Sequence, residues 1–176
     1  MRQCGDCTLC CKLLPVRSLG KKGGERCKHQ RHTGCRVYSK LLRVAPECSL
    51  WNCRWLVNDD TGELSRPDRS HYVIDIMPDY VKTIDDETGE VTEVPVVQVW
   101  VDPKHPDAHR DPALRAWLER HSAIALIRFT PTDGFCLFPP SRMANREWME
   151  KGSRNTGSEA HSVADIFRVL EATPQP

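Results

Sequence analysis

The chain has 176 residues, 39% hydrophobic and 28% charged, with a formal net charge of +1. That length suits one globular domain, or one domain carrying a small metal-built module. No run of eighteen apolar residues occurs, so no membrane-spanning helix is expected, and the first residues lack the apolar core and cleavage site of a secretory signal. A cytoplasmic location follows as the expectation, and there disulfides rarely persist. The nine cysteines therefore need another role, and an odd number suits a disulfide framework poorly.

Eight of the nine fall within the first 53 residues. Cys4, Cys7, Cys10 and Cys11 lie in one stretch, with two residues between successive members of the first three. A C-x-x-C turn lets two thiolates converge on one metal, and a C-x-x-C-x-x-C run recurs in iron–sulfur patterns. Cys10 and Cys11 are adjacent, so their side chains are expected to diverge. Two metal sites side by side, or one multi-iron cluster with a further site, would use both.

Lys12–Val16 reads as a helical turn ended by Pro15, and residues 18–25 as a glycine- and lysine-rich loop. Cys27 and Cys35 bracket His29 and His32, and Gly34 permits a tight turn before Cys35. Val37, Tyr38, Leu41 and Leu42 have helical spacing and are expected to cover the site from one side. Cys48 and Cys53 stand five apart, so on a regular helix they would face different directions; they could share a site only if the helix ends between them. Trp51 and Trp55, four apart, are expected to share a helix face and form a dry wall.

The pattern C-x-x-C-x-x-C-C, then a separated Cys27, then Gly34-Cys35-x-Val37-Tyr38, then Pro46-x-Cys48 and a closing Cys53, resembles the YkgJ-type cysteine-cluster family. The similarity spans about residues 4–55. It implies zinc or iron chelation, and a related cluster in flagellin lysine methylases implies an iron–sulfur centre. Where that family often has Arg-Pro before the penultimate cysteine, this chain has Ala45-Pro46.

Residues 58–62 form a polar turn, the candidate boundary between a cysteine module at 1–57 and an α+β body at 58–176. Residues 71–77, 80–84 and 94–101 read as strands of an antiparallel hairpin or meander. Asp111 is placed as a helix N-cap with Pro112 at the first helical position, and Leu114, Trp117 and Leu118 as the apolar face. Residues 123–129 read as a buried strand and 135–138 as the last strand, before a polar irregular stretch over 141–157. Residues 162–170 are expected to form a short amphipathic helix. The fold class expected is α+β, a cysteine-rich module packed on a small antiparallel sheet with one or two helices.

The eight clustered cysteines Cys4, Cys7, Cys10, Cys11, Cys27, Cys35, Cys48 and Cys53 are the metal-ligand candidates. Structural zinc takes four sulfur or nitrogen donors, so eight divide into two Cys4-type zinc sites with none left over. Iron or an iron–sulfur cluster is the alternative. With eight sulfurs available, His29 and His32 are expected to be exposed or to support ligands. His105, Asp107 and His109, completed by His71, His121 or His161, have the residue types of an iron-binding facial triad, but a proline-broken solvated loop is the preferred reading. Cys136 reads as a core thiol.

Residues 1–55 hold twelve Lys and Arg against three acidic residues, and the remainder thirteen against 21. The basic excess is read first as compensation for metal–thiolate charge. Three functions follow: a metal-binding protein; an iron–sulfur-dependent enzyme, redox or methylase-like; and a nucleic-acid module using Lys12, Arg17, Lys21, Lys22, Arg26, Lys28, Arg31 and Arg36. The last is disfavoured by the acidic second part. No partner is named by the sequence, and no membrane association is expected.

Overall fold

A computed structural model describes residues 2–84 and 87–152. The helix expected at 162–170 lies outside these.

The first 57 residues build only short elements. Helix α1 (Leu9–Leu13) stops at Leu14, which takes an extended conformation because the next residue is Pro15. A two-stranded hairpin follows, β1 (Gln30–Arg31) and β2 (Gly34–Cys35). Its return depends on Gly34, whose φ of 101° favours a residue without a Cβ. Helices α2 (Leu41–Val44), α3 (Pro46–Leu50) and α4 (Arg54–Val57) complete the segment. Helix α3 ends before Trp51, so Trp51 and Trp55 do not share a helix face; both still pack into one apolar cluster with Leu9, Leu13, Val73 and Trp100. Tyr38 and Leu42 do not form the expected cover, since each is 76% exposed. A tight 3-10 turn over Tyr38–Lys40 precedes α2, so the helical spacing is not realised as one continuous face.

After the turn α5 (Pro67–Ser70), the chain enters a sheet of six strands: β3 (Tyr72–Ile74), β4 (Asp79–Ile84), β5 (Val91–Val101), β6 (Ala125–Arg128), β7 (Gly134–Phe138) and β8 (Met149–Gly152). The long β5 pairs along one edge with both β3 and β4, antiparallel in each case. Its other edge pairs with β6 in parallel. The sheet is therefore mixed, correcting the antiparallel expectation within an α+β fold. The cause is helix α6 (Pro112–Arg120), which carries the chain across and returns it in the same direction. Asp111 caps α6 as expected, accepting a bond from the Ala113 amide at 3.0 Å, with Pro112 at the first position.

Strand periodicity sorts the side chains between two faces. Tyr72, Ile74, Val99, Val101, Ala125 and Ile127 face α6 and meet Leu114, Trp117 and Leu118. Val73 and Trp100 turn the other way, onto Leu9, Leu13 and Cys53. Covered on both faces, β6 is buried throughout, three apolar residues followed by the buried Arg128. Cys136 is a core thiol as expected, packed with Val96, Ile124 and Leu126.

Strand β8 lies in the stretch expected to be irregular. It is an edge strand of Met, Glu, Lys and Gly, held to β7 by backbone pairing. It buries too little side chain to leave an alternating apolar pattern.

Gly134 faces Arg128 at the turn between β6 and β7. A Cβ added there would stand 2.2 Å from the Ile127 carbonyl oxygen, so the strands must part to admit it. Gly134→Ala is expected to cost roughly 1–3 kcal/mol in denaturant unfolding. Gly152→Ala on β8, where an added Cβ meets nothing within 4 Å, is the control expected to change little.

Candidate metal centre

The eight cysteines expected as ligands all line one broad cleft of about 2290 Å³. Its far wall is the sheet face carrying Gln98, Trp100, Leu126 and Arg128. Within this arrangement the sulfurs fall into two neighbourhoods.

Cys4, Cys7, Cys10 and Cys53 surround a small cavity of about 10 Å³, walled by Trp55, Leu56, Pro67 and Val73. That is room for about one water-sized occupant. The Cys7 amide donates to the Cys4 carbonyl at 3.0 Å, closing the C-x-x-C turn. Helix α1 then places Cys10 on the same side. Cys53 arrives from α4's N-cap, held by a bridge to Asp75 that extends the sheet's pairing into the cysteine segment.

The second neighbourhood is Cys11, Cys27, Cys35 and Cys48. The Cys27 amide donates to the Cys11 carbonyl at 3.2 Å. The β1–β2 hairpin that carries Cys35 is tied to α1 through Gln30, which donates to the Thr8 hydroxyl at 2.7 Å. Cys48 feels the charge of Cys11, Cys27 and Cys35. Helix α3 does end between Cys48 and Cys53, yet the two cysteines join different neighbourhoods.

Cys11 sits at the junction. Its thiol stands beside that of Cys10, where a hydrogen bond between them makes Cys11 the acceptor. This bond, with help from Lys21 and against burial, lowers the Cys11 thiol to about 7. The same bond, then burial, raises Cys10 well above the ordinary thiol value. Burial foremost pushes Cys48 up to about 11 and Cys53 up to about 12. Dry surroundings penalise a thiolate without a cation beside it, and a bound metal would supply that charge.

Two cations organise the group. Lys21, 9% exposed, donates to the carbonyls of Lys12, Leu14 and Lys22, capping the end of α1 while facing the charges of Cys27, Cys11 and Cys48. Arg66 forks onto both oxygens of Asp68 at 2.6 and 2.7 Å and reaches Asp6, inside the Cys4–Cys7 turn, at 2.7 Å. Neither role was read from the sequence. Asp6, an acidic residue within a thiolate loop, was the signal that a cation had to be near; for Lys21, indistinguishable from its neighbour Lys22, sequence offers no signal.

Among the described residues, no three cysteine sulfurs lie mutually within 4.8 Å. A tetrahedral zinc with bonds of about 2.3 Å separates its sulfurs by about 3.8 Å. Side-chain rotation must therefore draw each set inward for single-ion ligation. His32 is exposed, and the His29 amide donates to the Cys27 sulfur at 3.4 Å.

The His105, Asp107 and His109 grouping is not assembled. Asp107 is exposed and pairs with Arg110. His109 is buried against Phe129 and Phe135, with Nδ1 2.7 Å from the Pro106 carbonyl, so the loop is not solvated throughout. Compared with family models, curated proteins and solved structures, the chain matches none.

Asp75 lies beside this centre, accepting a bond from the Met77 amide at 2.8 Å. Burial pushes its carboxyl up to about 6, Asp79 adds to the rise, and the Met77 amide and Trp51 indole oppose it. The folded chain thus holds this proton more tightly than the unfolded chain. Its ionisation costs stability as pH rises from about 4 to about 6, and the cost persists above that window. Asp75→Asn is expected to gain on wild type across the window, by up to about 3 kcal/mol. Paired denaturant titrations at pH 4, 5, 6 and 7 measure the difference.

Proposed function

We propose that the chain is a metal-binding protein holding two ions, one in Cys4, Cys7, Cys10 and Cys53, the other in Cys11, Cys27, Cys35 and Cys48. The observation that supports this reading is that Cys4, Cys7, Cys10 and Cys53 line one small cavity while Cys48 stands in the field of Cys11, Cys27 and Cys35. Thiolate sets of four suit zinc in closed structural sites, and iron is the alternative that thiolates also serve. The resemblance to the YkgJ-type family points the same way. Eight thiolates and two divalent ions leave an excess of negative charge, and Lys21 stands where it offsets part of it.

Metal binding would also be folding energy for residues 1–57. Their helices are of four or five residues, too short to persist alone in water. Ligation would join α1, the hairpin, α3 and α4 at two points.

Elemental analysis of protein purified without oxygen is expected to give two ions per chain. Cys53→Ser and Cys27→Ser are each expected to lose one ion and keep the other, because their sulfurs belong to different sets. A chelator is expected to open residues 1–57 to protease while the sheet resists. A chain that carries no metal, or an unchanged digest after verified removal, would overturn the reading.

A second reading, an iron–sulfur-dependent enzyme, is favoured by the cleft itself. The eight cysteines share that space with Arg128 and Asp75, so a metal centre there would border a cavity large enough for an organic substrate. It predicts a coloured protein with thiolate-to-iron absorption; a colourless, zinc-loaded protein opposes it. The nucleic-acid reading is weakened by the engagement of two of its cations within the fold, Lys12 with Asp102 and Lys21 with backbone carbonyls.

A further inference from the structure

The geometry points to a separate divalent-cation site formed by His71, Asp102 and His105, outside the cysteine cleft. One nitrogen of each histidine and one carboxylate oxygen all lie within 4.8 Å of one another. None of the three lines the cleft.

Sheet register creates the grouping. Tyr72 pairs with Val101, and the Asp102 amide donates to the His71 carbonyl at 2.9 Å, so His71 and Asp102 stand opposite one another where β3 begins and β5 ends. Asp102 then turns the chain. Its Oδ1 accepts from the Lys104 amide at 3.0 Å and its carbonyl accepts from the His105 amide at 2.7 Å. The turn brings the His105 ring face to face with that of His71, centroids 3.6 Å apart and planes within 6°. His71 itself holds φ at 61°, a left-handed conformation that disfavours a residue with a Cβ. Glycine or asparagine is the usual choice at such a helix end. A histidine there fixes an imidazole beside a buried carboxylate.

Two imidazoles and a carboxylate suit a borderline first-row ion such as zinc, nickel or cobalt, with open positions left for water. Such an ion, with bonds of about 2.1 Å, needs its ligand atoms roughly 3–3.5 Å apart. Stacked rings point their lone pairs in parallel, so binding requires one ring to rotate. His105 is exposed and has that freedom, whereas His71 is half-buried. The opposing charge is Lys12, whose ammonium lies 2.5 Å from Asp102 Oδ2. Cation and ammonium therefore compete for the carboxylate, and removing the ammonium should tighten binding.

Full-length protein, with its cysteine sites as purified, is titrated with Co2+ and followed by absorption and by histidine NMR. One equivalent is expected to bind without thiolate charge-transfer absorption and to shift the His71 and His105 ring signals together. His105→Ala, at an exposed position that leaves the fold in place, removes a direct ligand and is expected to weaken binding by at least about 10-fold, the lower end of what losing a ligand's supporting partner costs. Lys12→Met is expected to strengthen it several-fold. Co2+ that enters only with thiolate absorption, or that moves only other histidines, overturns the proposal. So does an affinity indifferent to His105→Ala. Thiolate absorption reports the cysteine sites and the paired His71 and His105 ring shifts report this one, so failure of either reading is told apart from failure of the other.

Discussion

Three backbone pairs, Tyr72 with Val101, Val73 with Trp100 and Ile74 with Val99, join the whole of β3 to the end of β5 and set the register for everything around them. Because side chains alternate, that register sends Tyr72 and Ile74 toward α6 and leaves Val73 and Trp100 for the cysteine segment. A slip of one residue would exchange the two sets. The α6 side would lose its partners, and α1 would meet side chains of the wrong size. The same register sets Asp75 where it bridges to Cys53, and so bears on how close Cys53 comes to Cys4, Cys7 and Cys10.

The cysteine segment supplies little of its own order. Its contacts with the rest include Leu9 and Leu13 on Val73 and Trp100, Arg2 on Thr61, the Trp55 indole on the Leu64 carbonyl, Cys53 bridged to Asp75, Lys12 on Asp102, and Asp6 on Arg66. The Lys12–Asp102 contact is the most demanding of these. Asp102 is largely buried, and Lys12 is the cation that holds its carboxyl below the ordinary range against burial. Loss of one member would strand a charge in dry surroundings, which is costlier than losing an exposed pair.

The sequence was informative where a residue's chemistry was itself the signal. Cysteine spacing marked the eight candidate ligands, and Asp111-Pro112 marked the start of α6 because cap and first position have distinct requirements. The apolar run ending at Val101 and the buried run after Ala123 were legible as strands, though their parallel pairing was not, since pattern within a strand carries no direction. Strand β8 was hidden because an edge strand can be polar on both sides. Lys21 and Arg66 were hidden because their roles depend on carbonyls and carboxylates brought together by the fold. Tyr38 and Leu42 misled in the opposite sense: helical spacing suggested a covered face, but a tight turn precedes α2 and both remain exposed.

The order of elements along the chain bears on how the thiols fare before folding is complete. The eight cysteines from Cys4 to Cys53 all precede the strands that provide Val73 and Trp100, which cover part of their surroundings. A chain emerging from the ribosome offers its amino-terminal portion first. For the interval in which roughly fifty further residues are added, those sulfurs face the cell's oxidants and thiol pool without the sheet behind them. On the metal-binding reading proposed above, early capture of a cation would shield them during that interval, and the supply of metal at the time of synthesis would then influence how much of the protein matures with its sulfurs intact.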